Sequence, residues 1–114
     1  MGGPGIINGV SHIETDNFQK CFFIVKDIEY CSAENYFQCA KCMSKDEQEV
    51  VRASGPGLSC WDEGNRVKLR PDWESVKVRE MYIGNKAKFE QNTEFSKALC
   101  NSKGNVVFGI IGMV

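Results

Sequence analysis

A carboxylate and an amine stand seven residues apart in the run Glu29-Tyr30-Cys31-Ser32-Ala33-Glu34-Asn35-Tyr36-Phe37-Gln38-Cys39-Ala40-Lys41, on a segment that is otherwise apolar and aromatic. Seven residues of α-helix are about two turns, so Glu34 and Lys41 share a face, about 10 Å apart along the axis. That separation exceeds the reach of a local ion pair and suits two groups that bracket a small ligand. A carboxylate so placed can move a proton or face a developing positive charge, and an amine can attack carbon. The competing reading is a solvated Glu and Lys on an amphipathic helix.

A second motif overlaps the first. Cys39-Ala40-Lys41-Cys42 is a Cys-x-x-Cys unit, the spacing of zinc and redox sites. A structural zinc needs a second ligand pair, whereas Cys21, Cys31, Cys60 and Cys100 are scattered and the only histidine, His12, sits near the N-terminus. Packing is therefore the expected role of these thiols.

The elements that must hold these groups can be read from pattern and punctuation. Met1-Gly2-Gly3-Pro4-Gly5 and the residues after it, 1–15, are expected to form a flexible lead-in, with the domain proper over 16–114. Cys21 to Tyr30 is β-branched and aromatic, with Lys26-Asp27 as a tight turn, and predicts a short strand or hairpin. Ser32 predicts the N-cap of a helix running to about Met43, with Tyr36, Phe37 and Ala40 toward the core. Ser44 with Glu47 fits a capping box for a second helix that buries Val50-Val51 and ends near Gly55-Pro56-Gly57. A short helix or turn surrounds Trp61, followed by an extended piece with Arg66, Lys68 and Arg70 at alternate positions. Pro71 then precedes the longest helix, with Asp72 as its N-cap and Val78, Tyr82, Asn85 and Phe89 at helical spacing. Thr93 caps a last helix. The tail Asn105 to Ile111 predicts a strand pairing with the early one. The fold class is thus α+β: a mostly helical single domain with a small antiparallel sheet.

At 114 residues and a formal charge of −1, with dispersed basic residues, the chain lacks the electrostatic footprint of a duplex-binding protein. A nucleotide or sugar phosphate, which needs one or two well-placed cations, stays compatible with it. No run approaches the roughly 18 apolar residues of a membrane span, and the N-terminus shows no secretory pattern. Cytoplasm, with the nucleus as the alternative, is the expected location, and six cysteines are then expected to be reduced.

The run ending at Lys41 resembles the signature helix of the YbiA-like, or NADAR, family, whose pattern reads Tyr-x-Ser-x-Glu-His-Tyr-Phe-Gln-x-x-Lys-Phe. Asp16-Asn17-Phe18 followed by Cys21-Phe22-Phe23 is similar to the family's Ser-Asn-Phe segment and the strand after it, and Leu69-Arg70-Pro71-Asp72-Trp73 to its Arg-x-Asp-Trp signature. Met81, Lys88-Phe89 and Gln91-Asn92 fall where the family has Met, Lys-Phe and a polar turn, so the resemblance spans about Asp16 to Gly109.

The resemblance implies a YbiA-like fold and cleavage of an N-glycosidic bond in a ribosyl or ADP-ribosyl small molecule, including phosphoribosylated pyrimidine intermediates of riboflavin synthesis. Positive charge develops at the ribose C1 in such a reaction, and Glu34 matches the family's catalytic glutamate. Lys41 matches its lysine, whose amine could attack C1 of a ring-opened ribose to form a Schiff base; direct hydrolysis is the rival route. Burial against Tyr36 and Trp73 would raise the Glu34 pKa. Trp73 is the candidate for stacking on base or ribose against the usual core role of an indole, and Arg70 the candidate phosphate contact. Asn17, Phe18, Asn35 and Tyr36 complete the implied substrate-binding set. No metal or organic cofactor is implied. Asn35 stands where the family has His, and the chain reaches Val114 without the family's Asp-x-x-Trp-Gly segment. Apolar surface left uncovered there would drive self-association.

Overall fold

Lys26 and Asp27 both adopt left-handed backbone angles, with φ of 51° and 67°, and this two-residue turn matches the right-handed twist of the strands it joins. The strands are β3 (Phe23–Val25) and β4 (Ile28–Tyr30), paired antiparallel with Phe23 opposite Tyr30. In this computed structural model the described residues are 5–7, 10–12, 16–100 and 106–107, with side chains over 16–97. Two further strands, β1 (Gly5–Ile7) and β2 (Val10–His12), lie within residues 1–15, the stretch expected to be a flexible lead-in.

Among the described residues five helices follow the hairpin: α1 (Ala33–Ala40), α2 (Lys45–Ala53), α3 (Leu58–Gly64), α4 (Trp73–Gln91) and α5 (Thr93–Cys100). The last strand, β5 (Val106–Val107), pairs with β1 rather than with the hairpin, giving the antiparallel order β2-β1-β5. The free edge of β3 is closed from α4 instead. The Gln91 side chain accepts from the Ile24 N–H at 2.7 Å and donates to the Ile24 carbonyl at 2.8 Å, and Asn92 donates to the Phe22 carbonyl at 3.1 Å. A side-chain amide thus satisfies both backbone groups that a tail strand would have needed.

Helix α1 is the hub, packed against α2, α3, α4 and β4. Ser32 caps it as its sequence predicts, Oγ accepting from the Asn35 N–H at 2.9 Å. It stops at Ala40, short of Met43, because the chain must turn to reach Ser44 in extended conformation at the start of α2. The Lys41 carbonyl freed by that turn accepts from the Arg70 N–H at 3.0 Å. Ser44 in turn caps α2 through the Glu47 N–H at 3.2 Å.

Helix α4 buries a different face from the one its apolar spacing predicts. Val78 and Tyr82 are exposed, and the buried stripe is Trp73, Val76, Met81, Gly84 and Lys88. Asp72 precedes the helix without capping it through its side chain, because its carboxylate is clasped by the Arg70 guanidinium at 2.6 and 2.9 Å. Among the described side chains, apolar clusters lie between the elements: Phe37 with Trp73, Val76 and Met81; Cys39 with Cys42, Val51 and Cys60; and Cys21 with Phe23 and Tyr36.

Candidate active site

Seven of the residues of α1 are buried, and three of them are polar: Glu34, Asn35 and Gln38. A buried polar group must be bonded or it costs about 1–3 kcal/mol, so each of the three calls for a separate account. Asn35 has the simplest one. Its amide donates to the Arg52 and Gly55 carbonyls at 3.0 and 3.1 Å and to the Val51 carbonyl at 3.4 Å, closing the C-terminal end of α2. Gln38 lies one turn beyond Glu34 and packs on Gly64 at the end of α3, where an added Cβ would sit 1.9 Å from its Oε1.

Glu34 is the ionisable member of the three, and Asn35 Oδ1 and Gln38 Oε1 share its lack of a partner among the described residues. The relative exposure of Glu34 is 0% and, among the described residues, neither carboxylate oxygen has a partner in hydrogen-bonding geometry. Burial raises its pKa to about 7; the approach of the Gln38 side chain and the charge of Lys41 hold it from going higher, and Asp16 adds to the rise. Lys41 is affected in the opposite sense. Its amine, 5.8 Å from the Phe37 ring centroid, is pushed below the ordinary lysine value by desolvation, and the Glu34 charge opposes that. The two groups therefore act on each other electrostatically across two turns, as a shared helix face requires.

The first turn of α1 is held from outside the helix. The Asn17 carbonyl accepts from the Glu34 N–H at 2.9 Å, and the Asn17 amide lies 3.2 Å from the Met81 sulfur of α4. Asn17 is fully buried beside Glu34, so it belongs to the same neighbourhood. Phe18 packs over the Gly57 turn that leads into α3, its ring 3.7 Å from where a Gly57 Cβ would stand.

The remaining residues of the implied set have partners of their own. Tyr36 points to the other side of α1, its hydroxyl donating to Glu80 at 2.7 Å and its ring edge-on to Tyr30. It lines a cleft of about 200 Å³ with Arg70, Glu80, Tyr30 and Gln48, a cleft that does not include Glu34 or Lys41. Tyr36 therefore does not supply the burial expected around Glu34. Trp73 is 6% exposed and packs on Phe37 with centroids 5.0 Å apart, a core position rather than an open platform. Asn35 faces α2, about 100° round the helix from Glu34. Arg66 is exposed and paired with Glu63 at 2.9 Å.

Cys39, Cys42 and Cys60 pack around Val51. Burial pushes all three thiols up, Cys42 to about 11, Cys60 to about 12 and Cys39 further. Among the described residues no three His, Cys, Asp or Glu side chains converge as a metal ion would need. Gln38, by contrast, was not anticipated at this site, although its spacing of four residues from Glu34 places it on the same face.

Known proteins give this geometry a context. A sequence model of the NADAR domain matches residues 8–108. The N-glycosidase YbiA of Shigella boydii is 40% identical over 70 residues, an alignment covering 60% of this chain and 44% of that protein. The N-glycosidase YbiA of Escherichia coli strain K12 is 39% identical over 70 residues with the same coverage. An NMR structure of the Escherichia coli protein YbiA superposes with a TM-score of 0.65 at 30% identity, over 72% of this chain and 50% of that one. The chain thus spans half the length of these relatives or less. With the match extending over nearly all of its residues, this chain belongs to the NADAR family.

Proposed function

We propose that the chain acts as an N-glycosidase, hydrolysing the bond between a ribose, phosphoribose or ADP-ribose and a nucleobase or amino-pyrimidine. The observation that carries this reading is the Glu34 carboxyl: buried, without a partner among the described residues, and titrating near neutral pH. An ionised carboxylate in a dry site faces an oxocarbenium-like C1 more effectively than one in water, and at this pKa it can also take the proton of an attacking water. Resemblance to relatives named as N-glycosidases supports the reaction class.

The role of Lys41 separates two routes. In direct hydrolysis its charge steadies the ionised Glu34; in the covalent route its amine, made more available as a free base by desolvation, attacks C1. Borohydride added during turnover leaves a stable ribosyl adduct on Lys41 in the second case and none in the first.

The test is to incubate the chain with an ADP-ribosylated guanosine and with a phosphoribosylamino-pyrimidine and follow products by mass spectrometry. Base release that falls about 100-fold or more in Glu34→Gln, with circular dichroism unchanged, is the expected result. Release that persists unaltered in that variant would remove Glu34 from the chemistry. A second reading, binding without turnover, is favoured by Asn35 standing where the family has a His that could share a proton near neutral pH. Calorimetry showing ADP-ribose affinity with no product would establish it.

A further inference from the structure

We propose that Lys88 is a positioning residue for Glu34, acting through the backbone of Asp16 and Asn17. Lys88 lies near the end of α4, 54 positions along the chain from Glu34, and is fully buried. Its amine donates to the Asp16 carbonyl at 2.9 Å and lies 5.3 and 5.7 Å from the ring centroids of Phe89 and Phe95. Bringing an amine out of water is unfavourable unless it is bonded, and a Met or Leu would fill the same space without that cost. Among its contacts, the amine reaches the backbone carbonyl of Asp16.

That carbonyl belongs to a tight turn. The Asp16 carboxylate accepts from the Phe18 N–H at 2.9 Å and its carbonyl also receives the Gln19 N–H at 3.1 Å. The next residue, Asn17, is the one whose carbonyl takes the Glu34 N–H at 2.9 Å and whose amide meets Met81 of α4. Helix α4 therefore holds the turn at two points, Lys88 and Met81, and the turn holds the first turn of α1. The first N–H groups of a helix have no intrahelical partner. Here they are divided: Ser32 caps Asn35, and Asn17 caps Glu34. The rotation of the α1 start, and with it the direction of the Glu34 carboxylate, follows the Asp16-Asn17 turn.

The inference rests on the reading of Glu34 as the catalytic carboxylate, and its test has one readout that does not. Hydrogen exchange measured by NMR on Lys88→Met, a variant of similar volume without the donor, is expected to show the Glu34 amide exchanging about tenfold faster while mid-α4 amides keep their rates. In the same variant kcat for base release is expected to fall about tenfold with KM within about twofold. Lys88→Gln, which keeps a donor, restores part of both. An unchanged Glu34 amide in the folded variant, or equal acceleration of every amide, overturns the proposal. If Lys88→Met does not fold, Lys88→Leu, which also removes the donor, takes its place, and an unchanged Glu34 amide there overturns the proposal equally. Absence of turnover in the unaltered chain would fall on the glycosidase reading alone, because the exchange measurement still decides whether Lys88 holds Glu34.

Discussion

Glu34 and Asn35 are neighbours in sequence with the same complete burial, yet one is bonded through its amide to the end of α2 and the other has no partner among the described residues. The contrast is between a neutral amide anchored to a neighbouring helix and a buried acid. Removing the Asn35 amide leaves buried carbonyls unsatisfied, so Asn35→Ala is expected to lose about 1–3 kcal/mol in urea unfolding. Glu34 answers to pH instead. If it works as a carboxylate, kcat rises with pH and levels off above about 7, the value to which burial raises it. A profile already flat at about pH 5 would mean that another group limits the reaction, since a carboxyl with the ordinary pKa of 4.5 would be ionised there.

At the scale of elements, α4 shows how a periodic signal can select the wrong face. Its Val and Tyr residues recur at helical spacing, but Val78 and Tyr82 are exposed while Gly84 and Lys88 point inward. Gly84 is inward because Tyr36 needs the space: a Cβ there would stand 2.7 Å from Tyr36 Cδ1. Two effects oppose in Gly84→Ala, a gain of about 1 kcal/mol in helix propensity and an overpacking cost of about 1–3 kcal/mol. The Tyr36 ring is confined by Phe23 and Tyr30 and its hydroxyl is bonded to Glu80, so it cannot yield, and the net expectation is destabilisation. The urea midpoint of Gly84→Ala checks the sign; a midpoint at or above that of the unaltered chain would contradict the tight contact.

For the molecule as a whole, the buried carboxyl makes stability depend on pH. Below about 4.5 Glu34 is neutral in both folded and unfolded chains. As pH rises from there toward 7 the unfolded chain ionises while the folded one stays protonated, so stability is lost through that window and is constant above it. The full cost is about 3 kcal/mol, a large part of a small domain's margin. Glu34→Gln is therefore expected to exceed the unaltered chain by up to about 3 kcal/mol at about pH 8 and to match it at about pH 4, in unfolding experiments at both values. If Glu34 carries the reaction proposed above, the variant that loses turnover would be the more stable protein, the trade expected of a functional site.

What the sequence by itself determined was local: the Lys26-Asp27 turn, the Ser32 and Ser44 caps, and the existence of α1, α2 and α4, with Glu34 in the first turn of α1 and Lys41 at its C-cap. Each depends on residues close in the chain, where backbone geometry and capping chemistry act directly. The family was legible too, because its motifs are short runs whose residues are read in order. Tertiary structure alone decided which polar residues of α1 are satisfied, since the carbonyls that bond Asn35 come from the far end of α2. It also decided that Tyr36 turns to Glu80, that Trp73 packs in the core on Phe37, and that Gln91 rather than a tail strand closes β3. Burial and unmet hydrogen bonds are properties of surroundings assembled from distant segments, and no residue's type or spacing carries them.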